Sequence, residues 1–356
     1  MAGRMHHKMV GKVGRNGKQG ENQARGNSTF RHPKKPFAIH LAEPLSLYGM
    51  EACSDWLLIA NFMDHSLLRN ALALTIAQSL SVPYTSRFQN VNVVINGEPR
   101  GCYLLCGGVD VAPVRVEIPD GGWLIEADNY EDDNAFFRSA FRQLPFHVRY
   151  PKNADAYKSE AIASMIALVE QSLYKDNDGK WQTLIDMDSF ADWLILHELC
   201  MNAEPNGPRS CYMLFDGNKI KAGPVWDFDL SFNPVGLDSG GDIRPYRFHR
   251  KDVVELTEDS SFCSKALWYD MLLANSHFRN HLSARWQTIR SSCVDALAKI
   301  DSMAKEMYAD AIADQARWGR LDPARFDIAT SWQEAYDTLR STYLHRIEWT
   351  DKYINK

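Results

Sequence analysis

Two carboxylates stand one residue apart in Gly223-Pro224-Val225-Trp226-Asp227-Phe228-Asp229, directly after a short alternating run, Lys219 to Ala222. Aspartates at i and i+2 after a strand can point into a cleft and hold a hard cation. Mg²⁺ takes a few such oxygens and completes its shell from water and substrate phosphates. Taken alone, the tetrapeptide reads equally well as a β-turn with solvated side chains. Upstream lies the polar loop Asn202-Ala203-Glu204-Pro205-Asn206-Gly207-Pro208-Arg209-Ser210. Such a loop can supply a carboxylate to accept a hydroxyl proton, and an amide or hydroxyl to a second metal ion. Its Pro, Gly and Asn content also fits a plain turn. Near the start, Arg25-Gly26-Asn27-Ser28-Thr29 precedes Pro33-Lys34-Lys35-Pro36. Glycine and small hydroxyls let backbone approach phosphates, and a following lysine can neutralise them. Finally, Asn61 to Asn70 contains Asp64, explained as a helix cap, and Arg69, either solvated or orienting a cleft carboxylate.

These residues need a scaffold large enough to converge. The chain has 356 residues, 45% of them apolar and 24% charged, which allows one large domain or two lobes with a real core. A net charge of -5 and a pI near 6.1 argue against a dedicated nucleic-acid binder. No apolar run is long enough to span a membrane. Met1 to Gln23 has no apolar h-region, so either the protein stays inside or a leader has been removed. The seven cysteines include no CxxC and read as buried small apolar residues.

Periodicity places the motifs. Residues 1–24 read as a loose start or truncated strand. Phe37, Ile39 and Leu41 alternate as a strand. Asp64 caps a helix over about 65–80 with Leu68, Leu72, Ile76 and Leu80 on one face. Val91, Val93 and Ile95 run into Asn96-Gly97 and return through Tyr103 to Leu105, a hairpin. Trp123 to Glu126 is another strand. Beyond Tyr150 the spacing turns helical. Ile162 to Leu173 forms one helix, and Asp188 caps a central one over Phe190 to Met201. Two short strands flank Asp216-Gly217-Asn218. Phe278 to Ile289 and Trp332 to Ile347 are helical, with Trp193, Trp286, Trp332 and Trp349 at core spacing, which leaves little for a carbohydrate-binding reading of the ten tryptophans. The expected architecture is α+β and two-lobed, with a cleft between lobes. Pro234 to Asp252 reads as a docking loop for a substrate segment or as an insertion.

The ordered set "RGNSTF–HPKKPF", "ANFMDHSLLRN", "VVINGEPRGCYLL", "GWLIEADNY", "HELCMNAEPNGPRSCYML" and "AGPVWDFDLSF" resembles the CotH family of atypical kinases, first named from spore-coat proteins. The likeness runs from Arg25 to Asn233 and continues through the C-terminal helix. It implies an atypical protein-kinase-like fold: a β-rich N-lobe with one main helix (about 25–118) and a mostly helical C-lobe (about 119–356). ATP and Mg²⁺ or Mn²⁺ would bind between the lobes, for phosphoryl transfer to a protein Ser/Thr or similar hydroxyl. By the same resemblance Lys34 or Lys35 contacts phosphate, Arg25 sits in the phosphate-facing turn, Asp227 is the chief metal ligand and Asp229 its neighbour. The catalytic carboxylate falls on Glu204, where the family usually has Asp. The second metal ligand falls on Ser210, where it usually has Asn. Gly107 stands where relatives commonly carry Glu. These departures bring in an alternative, a nucleotide-binding pseudokinase or scaffold for cell-surface or envelope assembly. Relatives are often exported or surface-associated.

Overall fold

The computed structural model describes residues 8–11, 23–24, 32–130, 135–233, 235–237, 243–245, 256–319 and 327–354. Arg25, with the turn around it, and most of the 234–252 loop lie outside these. Among the described residues the strands are β1 (Lys8–Gly11), β2 (Gln23–Ala24), β3 (Phe37–Leu45), β4 (Cys53–Ile59), β5 (Phe88–Ile95), β6 (Glu98–Cys106), β7 (Trp123–Ala127), β8 (Phe136–Arg138), β9 (Pro145–Tyr150), β10 (Cys211–Phe215), β11 (Ile220–Ala222), β12 (Val235–Leu237) and β13 (Ile243–Pro245). The helices are α1 (Arg69–Ala77), α2 (Ala156–Gln171), α3 (Trp181–Leu184), α4 (Met187–Leu199), α5 (Tyr269–Ala274), α6 (Ser276–Trp318) and α7 (Trp332–Ile354). The α+β expectation holds.

A first sheet of six strands runs β1-β5-β6-β4-β3-β2, antiparallel except where β1 pairs with β5. The Asn96-Gly97 hairpin forms as its sequence demands. Ile95 pairs with Glu98, and both turn residues take positive φ, 53° and 84°, which matches the right-handed twist of the strands. Strand alternation gives the sheet two different faces. Trp56, Leu58, Val91, Val93, Tyr103 and Leu105 pack on one. Cys102 and Leu104 join the main core with α1 on the other. A second sheet, β11-β10-β7-β9-β8, is wholly antiparallel, and every residue of β7 is buried.

α1 is shorter than the apolar spacing predicts. It starts at Arg69, because the Asp64 carboxylate first closes a turn on the Ser66 N–H and hydroxyl and Leu67 adopts φ 63°. The other Asp64 oxygen then accepts the Arg69 N–H at 2.9 Å. α4 also shifts. Its cap is Asp186, which accepts the Ser189 N–H at 2.8 Å, and Asp188 lies inside the first turn. The helix is buried almost all round, as its composition requires. α6, 43 residues long, is capped by Asn275 and buries Phe278, Leu282, Trp286 and Ile289. α7 buries Trp332, Leu339, Tyr343 and Ile347 against it. All seven cysteines are free, and six are buried; Cys53 is only half-buried. No helix among the described residues is long and apolar enough to cross a membrane.

Lys34 is fully buried, with its ammonium 2.8 Å from Asp314 on α6 and also donating to the Cys102 carbonyl. Gly101 makes room for this pair. It has φ 84°, and a Cβ there would run into the Asp314 carboxylate. Gly101→Ala is therefore expected to lower stability by about 2 kcal/mol, through backbone strain and displacement of a buried carboxylate. Urea unfolding would measure it. An unchanged midpoint would mean that Asp314 yields freely.

Candidate functional site

Three chain segments converge around a group of carboxylates. The first is the end of β7, where Asp128 follows Ala127. Register fixes its neighbour: Ala127 pairs with Cys211, so Asp128 meets the residue before β10. Its two oxygens accept the Tyr130 N–H at 2.7 Å and the Ser210 N–H at 3.4 Å. Next door, the Asn129 side chain donates to the Gly207 carbonyl and its N–H to the Pro208 carbonyl. The guanidinium of Arg209 lies over the Tyr130 ring at 4.9 Å.

The second segment is the loop after α4. Glu204 begins a short 3₁₀ turn to Asn206 and is 6% exposed. Its N–H is taken by Asn202 Oδ1, while the Asn202 amide nitrogen contacts His197 Nδ1 at 3.2 Å. The loop is bolted from behind. Asn206 donates to the Phe262 carbonyl at 2.6 Å, and Glu198 accepts from the N–H groups of Phe262 and Cys263 and from Arg346.

The third is the loop after β11. Asp227 is held at φ 66°, a left-handed conformation that is unusual outside glycine. Phe228 between the two aspartates is fully buried, with its ring 5.2 Å from that of His197. This anchor explains the Asp-Phe-Asp pattern: the aromatic goes into the core and sets the carboxylates around it. The start of α1 holds the loop by its backbone. Asn70 Oδ1 accepts the Phe228 N–H at 2.9 Å, and Arg69 donates to the Asp229 carbonyl at 3.0 Å.

The electrostatics show that these carboxylates feel one another. Burial raises the Glu204 carboxyl well above its usual range, with Asp227 and Asp229 adding repulsion and Arg209 opposing it. Burial likewise raises Asp229, next with repulsion from Asp227, against the Arg69 charge. Burial also raises Asp227, offset by a hydrogen bond from Asp229. Buried carboxyl groups this crowded favour holding a proton, and a cation can take its place. The donors are hard oxygens, the right type for Mg²⁺ or Mn²⁺. Among the described residues no three His, Cys, Asp or Glu side chains already form a cage for an ion.

Of the residues singled out by sequence, Glu204, Asp227 and Asp229 come together. Ser210 reaches the site by its N–H; its hydroxyl makes no hydrogen bond among the described residues, and its backbone sits at φ 49°. Lys34 is turned into the interior toward Asp314. Lys35 is half-buried, and its carbonyl accepts from the Tyr103 hydroxyl. Arg69, expected on the cofactor side, has a side chain 7% exposed that pairs with Asp327 at 2.7 Å and lies 3.5 Å from Asp64. Asp128, Asn70, Asn202 and Arg209 were not picked out individually. Asp128 had a signal, since it closes a strand inside one of the quoted motifs.

A family model described as CotH kinase protein matches residues 23–350, nearly the whole chain. The chain belongs to the CotH kinase family. No curated protein matches it. Membership carries a kinase-like function in general terms, with a nucleotide and a metal as its general requirement. The matched stretch of this CotH kinase family chain takes in all three segments of the carboxylate cluster as well as α6 and most of α7.

Proposed function

We propose that this CotH family protein binds ATP with Mg²⁺ or Mn²⁺ and transfers a phosphoryl group to a serine, threonine or similar hydroxyl. In this reading residues 25–118 act as an N-lobe and 119–356 as a C-lobe, with the nucleotide between them. The observation that carries it is the mutual perturbation of Glu204, Asp227 and Asp229 around one point, with Arg209 beside them. Like-charged carboxylates are kept close where a site needs a cation or a tuned proton acceptor. Asp227 and Asp229 would hold the cation, which when bound neutralises phosphate charge. Glu204 would take the acceptor's hydroxyl proton, and Arg209 would stabilise negative charge beside it. Lys34 or Lys35 would contact phosphate; the ion pair of Lys34 with Asp314 favours Lys35. Arg25 would face the phosphates from the preceding turn. Arg69 and Asn70 act by fixing the backbone that carries the aspartates, so positioning does much of the work.

One observation favours the scaffold reading. Ser210 stands where the family usually has Asn, and a hydroxyl holds Mg²⁺ more weakly than an amide oxygen does. Calorimetry with ATP and Mn²⁺ tests both readings. Asp227→Ala is expected to weaken binding roughly 10–100-fold. No binding by the wild-type protein overturns both. Radiolabel transfer from ATP to generic hydroxyl acceptors or to the protein itself, lost in Asp227→Ala, separates enzyme from scaffold.

A further inference from the structure

A cavity of about 260 Å³ opens where the chain leaves β6 at Gly107. Its walls come from the turn before β4, from β4, from the approach to β5 and from residues 114–117. None of Asp128, Glu204, Asp227 or Asp229 lines it. Met50 and Trp56, two of its walls, pack on the face of the first sheet away from α1. α1, which holds the Asp227 loop, packs with Cys102 and Leu104 on the opposite face. The cavity is thus separate from the carboxylate cluster.

Its buried charge is Arg115, whose side chain is 4% exposed. Nη1 reaches Asp110 at 2.5 Å, but Asp110 is itself 48% exposed. Among the described residues Nη2 has only the sulfur of Cys53, at 3.6 Å. A thiol is a weak acceptor. Burial raises the Cys53 thiol despite the nearby guanidinium, so it stays protonated at neutral pH. The guanidinium therefore turns an under-used edge toward the cavity, in a setting where arginine normally meets a carboxylate or phosphate. Gly107 contributes by lacking a side chain. A Cβ there would stand 2.7 Å from the Tyr84 hydroxyl and 3.4 Å from Arg115 Nε, so glycine lets both groups reach the same stretch of backbone. This gives the Gly107 departure a physical role. Exposed Arg87, Glu51 and Glu117 form the polar rim.

We propose that this cavity is a second small-molecule site, taking a small organic anion. Its carboxylate or phosphate oxygen meets Arg115 and Tyr84, and its compact apolar body lies against Trp56 and Met50. The volume suits a molecule the size of one substituted ring, since drug-sized ligands occupy roughly 300–1,000 Å³. The reading does not depend on phosphoryl transfer.

Cys53 supplies the test, being the one cysteine that is not buried. Its alkylation by iodoacetamide is followed on the full chain with benzoate or phenyl phosphate added. For a dissociation constant of about 1 mM, about 10 mM probe slows the reaction about tenfold. Protection by benzoate marks a carboxylate site, and by phenyl phosphate alone a phosphate site; both support the proposal. Arg115→Gln is expected to remove the protection. Should that variant not fold, Tyr84→Phe is expected to reduce protection several-fold. No protection by either probe overturns the proposal, as does protection that survives in a folded Arg115→Gln. Equal protection by ATP with Mn²⁺ overturns its separateness from the nucleotide cleft.

Discussion

Arg69→Met is expected to lower stability by about 3–5 kcal/mol, because it strips the cation from Asp327 and Asp64 while both stay buried. Asp327 is 6% and Asp64 0% exposed at the side chain, so water cannot replace the lost partner. The loss reaches far along the chain. Asp327 also accepts the His65 N–H, and Trp332 at the start of α7 donates to the Ser66 carbonyl. The turn before α1 is thus the joint between the first sheet and the C-terminal helix. The same substitution frees the Asp229 carbonyl, so affinity for ATP with Mn²⁺ should fall along with stability. Asn70→Ala separates the two effects. It leaves the Asp327 pair intact but removes the acceptor of the buried Phe228 N–H, at a cost of about 1–3 kcal/mol. Denaturant unfolding of both variants, with calorimetry at a temperature where each is folded, provides the check. An Arg69→Met midpoint within error of wild type would show that Asp64 and Asp327 find other partners.

What sequence could reveal follows from the range of the interactions involved. The Asn96-Gly97 turn, the buried α4 and the aromatic spacing of α6 and α7 are set by neighbours within a few turns, and all were readable. Asp227 and Asp229 could be singled out because both fall within one three-residue stretch. Lys34 and Lys35 were not separable. Nothing local says which one faces inward; Asp314 decides it from α6. The Arg69 partner Asp327 likewise lies 258 residues away, beyond any local signal. Asp128 needed the pairing of β7 with β10 before it could be placed beside Ser210. The start of α1 slipped by one turn because Asp64 and Ser66 bond each other before they cap anything. Family resemblance repaired part of this. It gathered distant motifs into one site, but it could not say which side chains the fold would use for packing.

His197 adds a pH dependence of a defined sign. Its ring is 3% exposed, lies 3.8 Å from the Trp193 ring, and has Nε2 without a hydrogen-bond partner among the described residues. Burial lowers its pKa from 6.5 to about 3. The unfolded chain therefore takes up a proton near pH 6.5 that the folded chain refuses until much lower pH. The stability tied to neutral His197 is fully present above about pH 6.5 and is lost progressively as pH falls toward 3, on the order of 5 kcal/mol in total. Glu204 and Asp229 act in the opposite direction: their raised carboxyls favour the folded state at low pH and lose that contribution as pH rises. The two opposing slopes make the wild-type profile hard to assign, but a difference between variants isolates the histidine. His197→Phe keeps an aromatic between Trp193 and Phe228 and gives up only the Asn202 contact. Its stability relative to wild type should rise steadily between pH 6.5 and 4, by about 1.4 kcal/mol per pH unit at most. A constant difference across that range would mean that the imidazole titrates normally in the folded protein. Since His197 orients Asn202, and Asn202 holds the Glu204 N–H, protonating it would also disturb the loop that carries the proposed proton acceptor.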